Sequence, residues 1–173
     1  ILKTKLNKSK VFLFLMSHLE EYYKLSDYVR KQKNLQKYKF IIRPYPHSSD
    51  KIKILDHVQN SGLKNFQVSE SSLRQDIKKS FAVIFSGTSA GIEAINYGRV
   101  GIWSNLSGIG INPLFDNIRY FLPSLNANQL EKKIHLIDKM SNVELNKIIN
   151  KQQKFCQNIY SKLDINIINK YLN

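Results

Sequence analysis

Residues 81–103, FAVIFSGTSAGIEAINYGRVGIW, admit few folds, because a buried strand, a turn of small residues, a helix and a second strand follow one another with hardly a spare residue. FAVIF is a continuous apolar run with β-branched and aromatic members, the pattern of a parallel strand covered on both faces. The run stops at Ser86. Ser86, Gly87, Thr88 and Ser89 then bring three hydroxyls and a glycine to the place where a helix must begin, so that unpaired backbone N–H groups and side-chain donors converge on a point suited to an anion such as phosphate. Ala90, Ala94 and Ile95 can pack that helix on the sheet, Gly98 can cap its C-terminus, and 100–103 re-enters the sheet. Glu93, one turn into the helix, sits where it could hold a sugar hydroxyl beside the phosphate. A plainer reading stands beside this one: Ser and Thr are ordinary helix caps, the glycine relieves a bend, and Glu93 is a solvated helix glutamate.

Elsewhere the chain alternates in the same way. The spacing predicts strands over 10–17, 38–43, 65–68, 81–85 and 101–103, with helices over 19–36, 48–59 and 72–79 between the first four. Leu19, Tyr22, Leu25 and Val29 form the apolar face of the first helix; Leu73 and Ile77 point the third inward. Pro44 and Pro46 close the second strand, since proline cannot donate to a ladder, and Ser48, Ser49 and Asp50 cap the helix after it. The prediction is an α/β, Rossmann-like domain: a mostly parallel sheet of five to six strands with helices on both faces. The loops leaving the strand carboxyl ends then share one edge, which makes it the binding edge. They include Ser17 and His18, 43–49, 69–72, 86–89 and the Ser- and Gly-rich stretch 104–112. A helix follows over 126–140. From Val143 the positions Leu145, Ile148, Gln152, Phe155, Ile159, Leu163 and Ile167 step by threes and fours, so amphipathic C-terminal helices pack back on the domain.

The 173 residues suit one domain. The apolar run 11–16 falls far short of the roughly 20 residues needed to span a bilayer. Lys3, Lys5, Lys8 and Lys10 before it imitate the start of a signal peptide, but no small-residue cleavage site follows, and the chain reads as cytoplasmic. Cys156 is the only cysteine, which leaves no internal disulfide and no thiolate cluster. The formal charge of +14 invites a nucleic-acid reading. Against it, the lysines are scattered and no interleaved basic and aromatic motif occurs, so nucleic acid is not the expected partner. Peripheral contact with the anionic inner membrane is a weaker expectation from the same charge.

The histidines 18, 47, 57 and 135 show no metal-ligand spacing, so neither a metal nor another cofactor is expected. His18 and His47 fall in loops on the binding edge. Arg43, at a strand end, can meet a phosphate bidentately or pair with a neighbouring carboxylate. GxSxG, the phosphate-loop pattern and GxGxxG are all absent.

VFLFLMSH, KFIIRPYPHSS and FQVSESSLRQDIKKSFAVIFSGTSAGIEAINYGRVGI, in that order, resemble the C-terminal, nucleotide-sugar-binding half of GT-B glycosyltransferases, especially those of bacterial surface and capsular polysaccharide synthesis. The resemblance covers roughly 10–103. It implies a donor-binding domain in which Ser86, Gly87, Thr88 and Ser89 contact the donor diphosphate, Glu93 holds the ribose hydroxyls and Arg43 steadies the phosphate, with Ser17 and Ser72 completing the nucleotide contacts. Tyr45-Pro46 stands where the family has His-Pro, so the leaving-group role passes to His47 or His18. The implied substrate is a nucleotide sugar, and the implied acceptor a surface or lipid-linked glycan. With Ile at position 1 and room for one domain, the acceptor-binding half is expected outside this chain, in an upstream domain or a partner chain. A reading of another class is a noncatalytic module docking to a partner or membrane through its C-terminal helices.

Overall fold

The computed structural model describes residues 10–45, 49–108 and 119–161, the last four by backbone only. Five strands, β1 (Val11–Leu15), β2 (Lys39–Arg43), β3 (Phe66–Val68), β4 (Ala82–Phe85) and β5 (Val100–Trp103), form one all-parallel sheet in the order β3-β2-β1-β4-β5. The α/β, Rossmann-like reading holds, with five strands among the described residues. Six helices accompany them: α1 (Leu19–Lys31), α2 (Asp50–Asn60), α3 (Leu73–Lys79), α4 (Ala90–Asn96), α5 (Ala127–Lys139) and α6 (Asn142–Ser161). None is long and apolar enough to cross a membrane.

The strands are nearly all apolar because side chains on both faces are buried. Phe12, Phe14, Phe40, Ile42, Ala82 and Ile84 join one core with Tyr22, Leu25 and Val29 of α1, Ile54 of α2, and Leu130 and Ile134 of α5. Leu13, Leu15, Val83 and Phe85 alternate to the other face, against Ile77 of α3 and Ile92, Ala94 and Ile95 of α4. α6 belongs to both. Its Leu145 and Ile149 lie in the first core and its Cys156 in the second, so the helix passes around the β5 edge.

At that crossing Gln152, fully buried, accepts from the Gly101 N–H at 2.8 Å and donates to the Gly101 carbonyl at 2.9 Å and the Tyr120 carbonyl at 3.0 Å. The Trp103 carbonyl accepts from the Ser124 N–H at 2.9 Å, while this one amide answers the Gly101 groups on the open side of β5. Gln153 next to it donates to the carbonyls of Ile95 and Asn96, the last turn of α4.

The expected helix 19–36 is shorter than its pattern suggested. α1 stops at Lys31, Gln32 is extended, and Lys33–Leu35 forms one 3-10 turn. Continued helix would carry Leu35 about 120° away from Val29 around the axis. The break returns Leu35 to the core, where it is 1% exposed. Gly98 does cap α4: with φ +78° its N–H reaches the Ile95 carbonyl, and the Arg99 N–H reaches that of Ala94, the two bonds of a Schellman end.

Polar contacts fasten α5 to the first half of the chain. Tyr28 Oη donates to Glu131 at 2.6 Å, Asn34 donates to the same carboxylate, and Tyr38 Oη donates to Asp138 at 2.7 Å. Burial, then the hydrogen bond to Glu131, push the Tyr28 phenol up to about 12. Burial and Asp138 raise Tyr38 further. Burial opposes ionisation of Asp138, yet Tyr38, Lys10 and Lys37 together hold its carboxyl below the usual range.

Candidate functional site

The strand register brings Leu15, Arg43 and Phe85 to one level, each the last residue of its strand. The chain leaves β1 toward β2 on one side, whereas β4 lies on the other. The carboxyl ends of β1 and β4 therefore flank the point where strand order reverses, where loops diverge and leave a crevice.

A cleft of about 290 Å³ opens there. Leu15 and Met16 come from the end of β1; Arg43, Pro44 and Tyr45 from β2; Thr88, Ser89, Ala90 and Glu93 from the turn and first helical residues after β4. A second cavity of about 240 Å³ shares Arg43, Pro44 and Tyr45 and continues to Lys51 of α2 and Ser69, Glu70 and Ser71 of the loop after β3.

Of the two alternatives open to it in the sequence, Arg43 makes the pairing with a carboxylate. Its Nη1 is held by Asp76 Oδ2 at 2.8 Å, the Ser71 carbonyl at 2.8 Å and Ser69 Oγ at 3.0 Å. Ser69 Oγ also donates to the same Asp76 oxygen. All three of the Arg43 bonds use Nη1, and Arg43 lines both cavities. Asp76 is buried, so the guanidinium is anchored where the two cavities meet.

The loops after β1 and β4 are stitched together behind the cleft. Gly87 N–H donates to Ser17 Oγ at 3.1 Å, Ser86 and Ser17 hydroxyls lie 3.0 Å apart, and Ser86 Oγ donates to Glu21 at 2.9 Å. Ser86 is 1% exposed and lines neither cavity. Its hydroxyl is thus a pin within the turn, and the groups facing the cleft are those of Thr88 and Ser89. Thr88 Oγ1 accepts from the Ala90 N–H at 3.2 Å, in place of the side-chain cap that Ser89 does not make.

Of the residues singled out from sequence, Arg43, Thr88, Ser89 and Glu93 meet at one cleft, and Ser17, Ser86 and Gly87 form the stitch behind it. His18 is exposed at the N-terminus of α1 and lines neither cavity. Ser72 caps α3 in a reciprocal pair with Gln75, while its neighbours Ser69 to Ser71 face the smaller cavity. His47 lies outside the described residues, as do Pro46, Ser48, Leu163 and Ile167. No three His, Cys, Asp or Glu side chains converge as metal ligands among the described residues.

Three residues escaped the sequence reading. Glu21 follows the N-cap His18 by three, the spacing of a capping box, but a histidine at the cap hides the motif. Asp76 shares the inward 73-76-77 face of α3 with Leu73 and Ile77, which marked it as buried and therefore paired. Gly91 looked like one more small residue of α4. A Cβ there would stand 2.3 Å from the Phe85 ring, so only glycine lets the helix lie this close to β4.

No protein-family model matches the chain, and no curated protein matches it. Solved structures do. The catalytic domain of cholesterol-α-glucosyltransferase from Helicobacter pylori superposes with TM-score 0.59 at 22% identity, covering 86% of this chain and 97% of that one. TarM superposes with TM-score 0.60 at 16% identity over 98% of this chain and 35% of its own. The catalytic domain of starch synthase IV from Arabidopsis thaliana, in a structure bound to ADP and acarbose, gives 0.52 at 13% identity, over 88% and 36%. The chain spans about a third of the length of the latter two. At these identities the likeness establishes the fold alone, the α/β fold that the chain shares with these structures.

Proposed function

We propose that this chain is the donor-binding domain of a glycosyltransferase, holding a nucleotide sugar for transfer of the sugar to a surface polysaccharide or lipid-linked glycan. The observation that carries the reading is the convergence of Arg43, Thr88, Ser89 and Glu93 on one cleft at the reversal point of the sheet. Fold likeness to a glucosyltransferase and to an ADP-bound starch synthase supports it.

In the reaction the bond between the sugar's anomeric carbon and the diphosphate oxygen breaks, an acceptor hydroxyl takes the carbon, and negative charge grows on the departing diphosphate. Groups fixed in advance toward that charge are what a site of this kind needs. Arg43 meets the requirement, because its buried partner Asp76 holds the guanidinium in place before any ligand arrives. Thr88 and Ser89 add hydroxyls and turn amides, and Glu93 accepts from the ribose hydroxyls. His18 and His47 remain the proposed groups at the leaving oxygen, and Ser72 with Ser69 to Ser71 the proposed neighbours of the base. The facing, acceptor-binding wall comes from a further domain or a partner chain, and the charge of +14 draws a polyanionic donor toward the site.

Calorimetric titration with a panel of nucleoside diphosphates and CMP tests the reading. One of them binds; Ser89→Ala weakens it about 3- to 10-fold, the loss of one ordinary hydrogen bond, and Glu93→Ala about 10- to 100-fold, the loss of a bond to a charged group. Unchanged affinity in both variants would sink the assignment.

A further inference from the structure

We infer that Glu21 is a positioning residue that sets the shape of the 86–89 turn from behind, an inference that rests on the donor-cleft reading above. Glu21 is 1% exposed and lines neither cavity, so it does not act by touching a ligand there. Among the described residues no cation pairs with it. A carboxylate buried without a counter-charge is expensive to keep ionised, and it is retained where hydrogen-bond donors replace the water it has lost. Glu21 has four such donors. Oε2 accepts from the Ser17 N–H at 2.9 Å, the His18 N–H at 3.4 Å and Ser86 Oγ at 2.9 Å, while Oε1 faces Ser107 Oγ at 3.4 Å. These come from three different loops, those after β1, β4 and β5.

The direction of the hydrogen bonds follows from proton counting. An ionised carboxylate only accepts, and Ser86 carries one proton, so that proton goes to Glu21. The 3.0 Å contact between the two serines is then completed by the Ser17 hydroxyl, whose oxygen in turn accepts the Gly87 N–H. Glu21 thereby orients two hydroxyl rotors and one backbone amide in a single relay. The relay ends on Gly87, the residue immediately before Thr88 and Ser89 of the cleft wall. Without the acceptor at its head, Ser86 and Ser17 have no preferred direction, and the turn loses its register against the cleft.

A glutamine can keep most of this arrangement. Its carbonyl oxygen takes the place of Oε2, and its NH2 can donate to Ser107 Oγ. Alanine keeps none of it. The experiment combines nucleoside diphosphate titration with amide hydrogen exchange read by NMR, on the wild type, Glu21→Ala, Glu21→Gln, Ser86→Ala and the Glu21→Ala/Ser86→Ala double variant. Glu21→Ala weakens binding at least tenfold, Glu21→Gln restores it to within about threefold, and the double variant is no worse than Glu21→Ala within about twofold. In the same samples Gly87 exchange in Glu21→Ala rises at least tenfold while Val83 and Ile84 in β4 do not change. General destabilisation would move the strand amides too and would not be rescued by glutamine. Unaltered affinity in Glu21→Ala, or equal loss in the Gln and Ala variants, overturns the inference. If the wild type binds no nucleoside diphosphate, the donor reading fails, and exchange at Gly87 alone then decides whether Glu21 holds the turn. Should Glu21→Ala not fold, Ser86→Ala, which removes one hydroxyl from the same relay, must show the Gly87 acceleration or the inference falls.

Discussion

Replacing Gly91 by alanine adds one methyl group where α4 lies directly against β4. The new Cβ would lie 2.3 Å from Cγ and Cδ2 of Phe85 and 2.8 Å from its Cβ. Relaxed carbon contacts are about 3.5 Å or more, so ring and helix must part by about 1.2 Å. Neither has room. Phe85 is fully buried, with Phe121 edge-on at 6.4 Å and its far edge already close to Gly101, where an added Cβ would come within 3.2 Å. Overpacking of this kind costs about 1–3 kcal/mol, and a ring blocked on both sides argues for the upper end. In a domain of this size about 3 kcal/mol lowers Tm by about 6–12 °C. Urea unfolding followed by Trp103, the sole tryptophan, should show an earlier midpoint at unchanged slope. Phe85 directly precedes Ser86, so diphosphate binding should weaken as well. Phe85→Leu removes the obstructing ring, and the Phe85→Leu/Gly91→Ala double variant should be more stable than the sum of the single effects by about 1 kcal/mol or more. A Gly91→Ala protein within about 0.5 kcal/mol of wild type, or strict additivity with Phe85→Leu, would refute the close-packing argument.

Cys156 is fully buried on α6, and burial raises its thiol to about 12, so at pH 8 it should react with an aromatic disulfide reagent at least ~100-fold more slowly than in urea. Reaction at the free-thiol rate would mean that α6 is not docked. Gln152→Leu strands the Tyr120 carbonyl and both Gly101 backbone groups, which should cost about 2–4 kcal/mol in urea unfolding and promote association at high protein concentration. The folded protein holds the Tyr28 proton more tightly than the unfolded chain does. That stabilisation is whole below pH 10 and is lost as the pH rises toward 12, the folded value. Tyr28→Phe should therefore flatten the fall in thermal midpoint between pH 10 and 12, and an identical slope would count against the Tyr28–Glu131 bond.

How far the sequence announced this structure depended on the kind of force involved. Periodicity and apolar runs are local, and among the described residues they placed each strand and α-helix and the Gly98 cap, because each signal needs only a few neighbouring residues. α1 was overextended because the choice to end it is made by Leu35 reaching a core built from distant segments. At the site, Arg43, Thr88, Ser89 and Glu93 were legible because each sits at the end of a recognisable element. Ser86 reads in the sequence as one more hydroxyl of the turn, and its bond to Glu21, 65 positions earlier in the chain, leaves no local trace. Asp76 likewise meets Arg43 across 33 positions. Such pairings follow from sheet order, which residue spacing does not reveal.

Gln152 also fixes an order of events in the life of the chain. β5 is finished by position 103, but the amide that occupies its open side is made 49 residues later. During synthesis, therefore, the Gly101 N–H and carbonyl wait unanswered until α6 has emerged and swung round the strand. A ribosome stalled between those two points would carry a nascent domain whose four other strands are in place and whose fifth can recruit a neighbour. α6 thus acts as the domain's quality seal, and shortening the chain ahead of Gln152 should harm solubility before it harms secondary structure.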